Sequence, residues 1–308
     1  IQRRLLGKDA NSLEELIDNQ VAVVSFSHVN YRTGKILPIA ELVQQTHDAG
    51  ALFVLDTCHS AGVLPVELDQ WGVDFAVGCT YKYLNGGPGS PAFIYVAKRH
   101  QNEAMNPLSG WWGHARPFEF EENFHAAEGI RRFQTGTQPV LSLRGLQAGL
   151  EIAQEVDLQQ VRKKSQRLTQ LFIELIESGC RNFGVTLQSP TEPDKRGSQV
   201  ALYFENGYSV IQALIARKII GDFREPGIMR FGFAPLYFLR VLASFQKPSH
   251  LHRIRSQNSG DRLASERENY TSDVFSYGCP PYFWYFCKHN RRVRRRDLPA
   301  SYNSGSCL

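Results

Sequence analysis

Short apolar runs of strand length recur through the first hundred residues, with amphipathic stretches between them. Val21-Ala22-Val23-Val24-Ser25-Phe26-Ser27 reads as a buried strand, and Ile39 to Ala49 as a helix stopped by Gly50. Ala51 to Leu55, Asp74 to Cys79 and Pro91 to Val96 read as three more strands. Strands separated by helical segments predict an α/β fold, a mostly parallel sheet flanked by helices. Such sheets bind ligands at the carboxyl ends of their strands. Asp56 and Lys82 both fall just past such ends.

Further along, Leu158, Val161, Ser165, Leu168, Leu171, Phe172, Leu175 and Ile176 keep the three-four spacing of one buried helix face, and Gly179 is the expected stop. Gly184 to Leu187, Ser198 to Phe204 and Ile228 to Phe233 read as strands, with a helix from Tyr208 to Lys218. This pattern predicts a smaller α+β domain joined to the first by the long helix. The expected division is 1–145 for part of a large domain, 146–237 for the connecting helix and small domain, and 238–308 for a divergent, disordered tail. No internal repeat is found.

Charge changes the picture only at the end. Residues 239–308 hold 12 Lys/Arg and 5 Asp/Glu, whereas residues 1–238 hold 23 and 25. The basicity belongs to the tail, and the body gives no electrostatic reason to expect nucleic acid. No apolar run reaches 18 residues, so no transmembrane helix is expected. Of the six Cys, Cys58, Cys79 and Cys180 lie in apolar or helical contexts and read as buried thiols in a reducing compartment. Ile1 in place of an initiator Met suggests a fragment. In the tail, Arg291 to Arg296 could bind nucleic acid and Cys279, Cys287 and His289 could suggest zinc, but their spacing fits no standard site and no metal is expected.

Chemistry concentrates where two strands end. The Leu52-Phe53-Val54-Leu55 run closes on Asp56, and Lys82 follows 26 residues later in Thr80-Tyr81-Lys82-Tyr83-Leu84-Asn85-Gly86-Gly87-Pro88-Gly89. An aspartate at a strand end, then a lysine between a strand and a Gly-rich turn, is what pyridoxal phosphate (PLP) chemistry requires. The lysine forms the Schiff base, and the carboxylate keeps the pyridine nitrogen protonated. His59, three residues after Asp56, is placed to reach the cofactor's phenolic oxygen. Taken alone, Asp56 also reads as a cap of the next helix and Lys82 as a structural residue. The Trp111-Trp112-Gly113-His114 loop puts two indoles between glycines, so that one lines a site or an interface or both form an aromatic plug. Thr137, before a helix start, offers a hydroxyl donor. Arg230, inside Ile228-Met229-Arg230-Phe231-Gly232-Phe233, must find an anion: a substrate carboxylate, or an internal Asp or Glu.

These segments, with Ser27-His28-Val29-Asn30-Tyr31-Arg32-Thr33-Gly34, Arg196-Gly197-Ser198-Gln199-Val200 and Gly221-Asp222-Phe223-Arg224-Glu225-Pro226, resemble the kynureninase family from about residue 1 to 237. The resemblance implies a PLP-dependent transferase-like fold of type I, in a cytoplasmic homodimer. It implies hydrolysis of the Cβ–Cγ bond of L-kynurenine or 3-hydroxykynurenine to L-alanine and anthranilate or 3-hydroxyanthranilate, a step of tryptophan catabolism and NAD biosynthesis. By motif, Lys82 is the Schiff-base lysine, Asp56 the pyridinium partner, and Ser27 and His59 part of the cofactor shell. Tyr81 contacts the phosphate and is a candidate proton donor. Trp111 and Thr137 approach the phosphate across the dimer interface, and Arg230 holds the substrate carboxylate.

Two departures qualify the resemblance. Family members begin well upstream of Ile1, with much of the phosphate-binding turn, the ring-stacking residue and a second acidic residue in that part. From about residue 238 the sequence diverges, as out-of-frame or read-through translation would. The competing readings are an inactive truncated remnant, and a related PLP enzyme such as a cysteine desulfurase or aminotransferase.

Overall fold

In a computed structural model, residues 3–5 and 12–236 are described. The expected tail, 238–308, lies outside the described residues. The first sheet is built from β1 (Val23–Ser27), β2 (Leu52–Asp56), β3 (Phe75–Cys79) and β4 (Ala92–Val96), in that spatial order. β1, β2 and β3 run parallel, and β4 is antiparallel to β3. The sheet is therefore mostly parallel, as the alternating pattern predicts. Between β1 and β2 lies α1 (Ile39–Asp48). Its Ile39 and Val43 pack with Phe53, Leu55, Val73 and Ala76 in one core.

Register does much to place the site. Ser27 pairs with Asp56, and Asp56 with Val77, so the ends of three strands lie side by side. Chain segments leaving those ends carry His59 and Lys82 onto the same edge.

The second sheet has the order β5-β6-β8-β7 and is antiparallel throughout: β5 (Thr186–Leu187), β6 (Gln199–Tyr203), β7 (Asp222–Arg224) and β8 (Ile228–Gly232). It packs on α3 (Leu158–Cys180) and α4 (Gly207–Ala216) through Leu168, Phe172, Ile173, Ile211, Met229 and Phe231. α2 (Val140–Gln154) leads from the first half into α3.

Three expectations are corrected. α3 runs through Gly179 to Cys180; the chain turns at Gly184, whose φ of +78° is the left-handed conformation that glycine adopts without a Cβ clash. The buried face of α3 is rotated from the apolar stripe: Arg162 and Thr169 are buried while Leu175 is exposed. Arg162 and Thr169 earn that burial by bonding, Arg162 to the Pro193 carbonyl and Thr169 to the Arg196 guanidinium. Cys58, Cys79 and Cys180 are free thiols as expected, but half-buried rather than buried.

The two sheets meet along the segment 29–36. Gly197 N–H donates to the Gly34 carbonyl at 2.7 Å and Ser189 Oγ to the Thr33 carbonyl at 2.6 Å. Tyr83 Oη donates to the Ser198 carbonyl at 3.1 Å. Val29, Val63, Leu64 and Val161 form a small core there, with Tyr83 against it.

Candidate functional site

The site is assembled at the carboxyl ends of β1, β2 and β3. Ser27 Oγ donates to Asp56 Oδ2 at 2.8 Å, and the Cys58 N–H donates to Asp56 Oδ1 at 2.8 Å. Burial works against the Asp56 charge. Hydrogen bonds from the Cys58 thiol and N–H and from Ser27, with the charge of Lys82, outweigh it and hold the carboxyl below its usual range. Asp56 is therefore an anion at neutral pH. No helix lies between Asp56 and β3, so its bond to Cys58 N–H closes a turn and is not the helix cap considered from the sequence. Cys58 is the counterpart: burial and the neighbouring carboxylate push its thiol up to about 12.

Lys82 lies three residues past β3, its Nζ 3.0 Å from His59 Nε2. Burial and the charges of Lys82 and Arg230 depress His59 to about 4, against a smaller opposing pull from Asp56 and Gln199, so its imidazole is neutral. The turn after Lys82 is held from behind by α2. A Cβ on Gly149 would lie 2.4 Å from the Leu84 carbonyl oxygen, so only glycine lets the helix approach this closely. Tyr81 is half-exposed beside Lys82, whose ammonium is 5.5 Å from the ring centroid. Burial raises the Tyr81 phenol above its ordinary value, with Cys79 and Cys58 contributing, and keeps it protonated.

Arg230 lies on β8 at the seam between the sheets. Its Nη1 donates to the Tyr31 carbonyl at 2.5 Å, its Nη2 pairs with Asp222, and the guanidinium is 5.8 Å from the Tyr31 ring centroid. The internal carboxylate partner considered from the sequence is thus present. Arg230 Nε is nevertheless buried with no hydrogen-bond partner among the described residues.

The structure brings Ser27, Asp56, His59 and Lys82 together, with Tyr81 adjacent and Arg230 close enough to depress His59. Trp111 and Thr137 stand apart from that account. Trp111 packs edge-on against Trp112 and Phe118 in its own loop and is still partly exposed. Thr137 is exposed in the segment before α2. Gln199 went unassigned in the sequence. Its side chain donates to the Tyr31 carbonyl at 2.8 Å and the Asn30 carbonyl at 3.4 Å. A glutamine opening the strand Gln199–Tyr203, whose first four residues are all buried, is the signal that could have found it.

The donor set fits a PLP ring. A primary amine and an ionised, multiply hydrogen-bonded carboxylate stand on one strand edge. Gly87, in the turn beyond Lys82, faces open space. Among the described residues no group of three or more His, Cys, Asp or Glu could hold a metal, and no helix is long and apolar enough to cross a membrane.

The kynureninase C-terminal domain family matches residues 161–241. A kynureninase of Burkholderia mallei (strain SAVP1) is 48% identical over 229 residues, covering 74% of this chain and 55% of the relative. A kynureninase of Pseudomonas fluorescens is 50% identical over 225 residues, covering 73% and 54%. The chain thus spans about half the length of these relatives. Among solved structures, an apo cysteine desulfurase from Thermococcus onnurineus NA1 superposes with a TM-score of 0.59 at 21% identity, covering 72% of this chain and 57% of that one. A C-DES variant with glycine covalently linked to its PLP cofactor gives 0.63 at 20%, covering 73% and 59%. At such identities the likeness establishes the fold, that of type I PLP enzymes.

Proposed function

We propose that this chain, which belongs to the kynureninase family, carries the lysine edge of a PLP-dependent hydrolase that cleaves L-kynurenine or 3-hydroxykynurenine to L-alanine and the corresponding anthranilate. The observation that carries this reading is the Lys82–His59 pair standing over the Ser27–Asp56 pair, on the edge where parallel strands end. PLP, when bound, supplies an electron sink for the carbanion that forms at the substrate α-carbon.

Each residue then has a task. Lys82 Nζ holds the cofactor and moves the Cα proton as a general base. The Asp56 carboxylate, kept ionised by Ser27 and Cys58, would accept a charge-assisted hydrogen bond from the ring nitrogen and keep it protonated. His59 belongs to the shell around the ring. Tyr81 would contact the phosphate, and once water has added to the substrate γ-carbonyl and the Cβ–Cγ bond has broken to release the anthranilate carboxylate, its phenol, held protonated, would return a proton to Cβ. Arg230 would bind the substrate α-carboxylate by exchanging the Asp222 carboxylate on its guanidinium for that of the substrate. The large and small domains meet near residue 145. The protein is a homodimer, with Trp111 and Thr137 of the partner subunit reaching the phosphate; the exposure of both side chains supports this. A cytoplasmic location rests on the family resemblance alone.

A cysteine desulfurase is the weaker reading, although such enzymes share the fold. That chemistry needs a mobile nucleophilic thiolate, and Cys58 is tied to Asp56 with its thiol pushed up to about 12.

The test is capture of the cofactor. The purified chain is incubated with PLP, reduced with borohydride and mapped, in parallel with Lys82→Ala. Selective labelling at Lys82, lost in the variant, is expected, together with release of anthranilate from kynurenine. Diffuse labelling independent of Lys82 would refute the assignment.

A further inference from the structure

Arg230 has one partner that a ligand could replace. Its Nε is buried, its Nη1 donates to the Tyr31 carbonyl, and its Nη2 donates to the Asp222 carboxylate. The Arg230 side chain is 13% exposed and that of Asp222 43%, so solvent meets this guanidinium on the Asp222 side.

Asp222 divides its oxygens between two arginines. Oδ2 accepts from Arg230, and Oδ1 accepts from Arg224 Nη1 at 3.0 Å. Strand register sets this up. Asp222 stands opposite Arg230 across β7 and β8, and Arg224, two residues on, shares its face of β7. Arg224 Nη1 is also held by the Phe223 carbonyl at 3.0 Å, on the exposed side of the pair. A carboxylate displaced from Arg230 therefore keeps a cationic partner.

We propose that Asp222 is a stand-in for the substrate carboxylate: it neutralises the Arg230 guanidinium in the empty site and moves onto Arg224 when a substrate carboxylate takes its place. This rests on the reading of Arg230 as the carboxylate seat and adds two residues to it. Without the stand-in, a mostly buried guanidinium would face the empty site unpaired, which is costly. The exchange also discriminates. A ligand with a carboxylate replaces one ion pair by another. An amine that lacks the group has nothing to offer Arg230 and leaves Asp222 where it is. Asp222 is thus a specificity-determining residue, and Arg224 a positioning residue that acts through it.

The experiment is calorimetric titration of the PLP-loaded full chain with L-alanine, the product that keeps the α-carboxylate, and with ethylamine, which is alanine without it. In Asp222→Asn, which keeps one acceptor for Arg230, alanine is expected to bind about tenfold more tightly and ethylamine no differently. In Arg224→Gln alanine binds about two- to threefold more weakly. Added to Asp222→Asn, Arg224→Gln has no effect, because the carboxylate it serves is gone. Alanine affinity that is unchanged or weaker in Asp222→Asn overturns the proposal, as does an Arg224→Gln effect that persists in the double variant. If Asp222→Asn does not fold, an unchanged affinity in Arg224→Gln overturns it. Loss of alanine binding in Arg230→Gln, with no gain in Asp222→Asn, would sink this inference and leave the seat standing. Unchanged binding in Arg230→Gln would sink the seat itself, and the stand-in with it.

Discussion

Two histidines at the seam make stability depend on pH in a definite direction. Burial depresses His28 to about 4, with the charge of Arg162 adding to it, and His59 is depressed to about 4 by burial, Lys82 and Arg230. The unfolded chain protonates both near the ordinary histidine value of about 6.5. Above that pH their contribution to stability is fully present; it is lost as pH falls from about 6.5 towards 4. Shifts of this size correspond to at most about 3 kcal/mol for each group. Urea melts at pH 7, 5.5 and 4.5 are expected to show a steep loss, shallower in His28→Gln; a flat profile would refute the burial argument. At this scale the sequence was legible where residue types converge on one reaction. Asp56, His59 and Lys82 could be picked out because a carboxylate, an imidazole and an amine near strand ends have few joint uses. Gln199 could not, because an amide's role depends on which carbonyls surround it, and those come from a loop 168 residues away.

Elements are held in place by one carboxylate that the sequence did not single out. Asp74, 2% exposed at the entry to β3, accepts from the Phe53 N–H of β2 at 2.7 Å, from His47 of α1 at 2.9 Å, and from Arg99 and His100 after β4 at 2.5 and 2.7 Å. Burial opposes its charge, but these donors hold the carboxyl well below the usual range. Asp74→Ala would leave the buried Phe53 N–H unpaired while the part-exposed His47, Arg99 and His100 turn to solvent, and a loss of about 1–3 kcal/mol is expected in chemical denaturation. Asp74→Asn, which keeps one acceptor oxygen, should lose less; equal losses would mean that the carboxylate charge contributes nothing. Strands β1 to β4 were readable from apolar runs because each is short, regular and bounded by polar turns. The end of α3 was not, since Gly179 sits in a helix that its neighbours sustain and the true stop lies at Gly184. β7 was missed because three residues with two charges carry no period, and only pairing with β8 makes them a strand.

At the scale of the molecule, the order of strands, long helix and second strand set predicted a mostly parallel sheet followed by a smaller α+β part, and the described residues form two four-stranded sheets, one mostly parallel and one antiparallel. What no pattern along the chain could show is which sheet faces are covered. Phe53, Leu55 and Ala76 of the first sheet pack under α1. On the sheet's other side Val23, Leu52, Val77 and Ile94 remain exposed, with Val23 opposite Leu52 and Val77 opposite Ile94 in the register. Parallel sheets are normally covered on both faces, because an open one leaves a continuous apolar surface in water. Leu141 at the start of α2, 89% exposed, adds to the apolar surface, as do Met105 and Phe120. A surface of this kind associates with whatever apolar face it meets, and in a pure preparation that is another copy of the chain. Light scattering on a sizing column is therefore expected to give at least twice the mass of 34.9 kDa, with a share that rises with concentration. Replacing Val77 and Ile94 together by Thr keeps strand propensity, weakens the patch and should lower that share without lowering the melting temperature. If association runs through the open sheet face, the double variant also loses most of its binding of a hydrophobic dye. If mass and dye binding are both unchanged, the association belongs to the α2 side, where Leu141→Glu should abolish it.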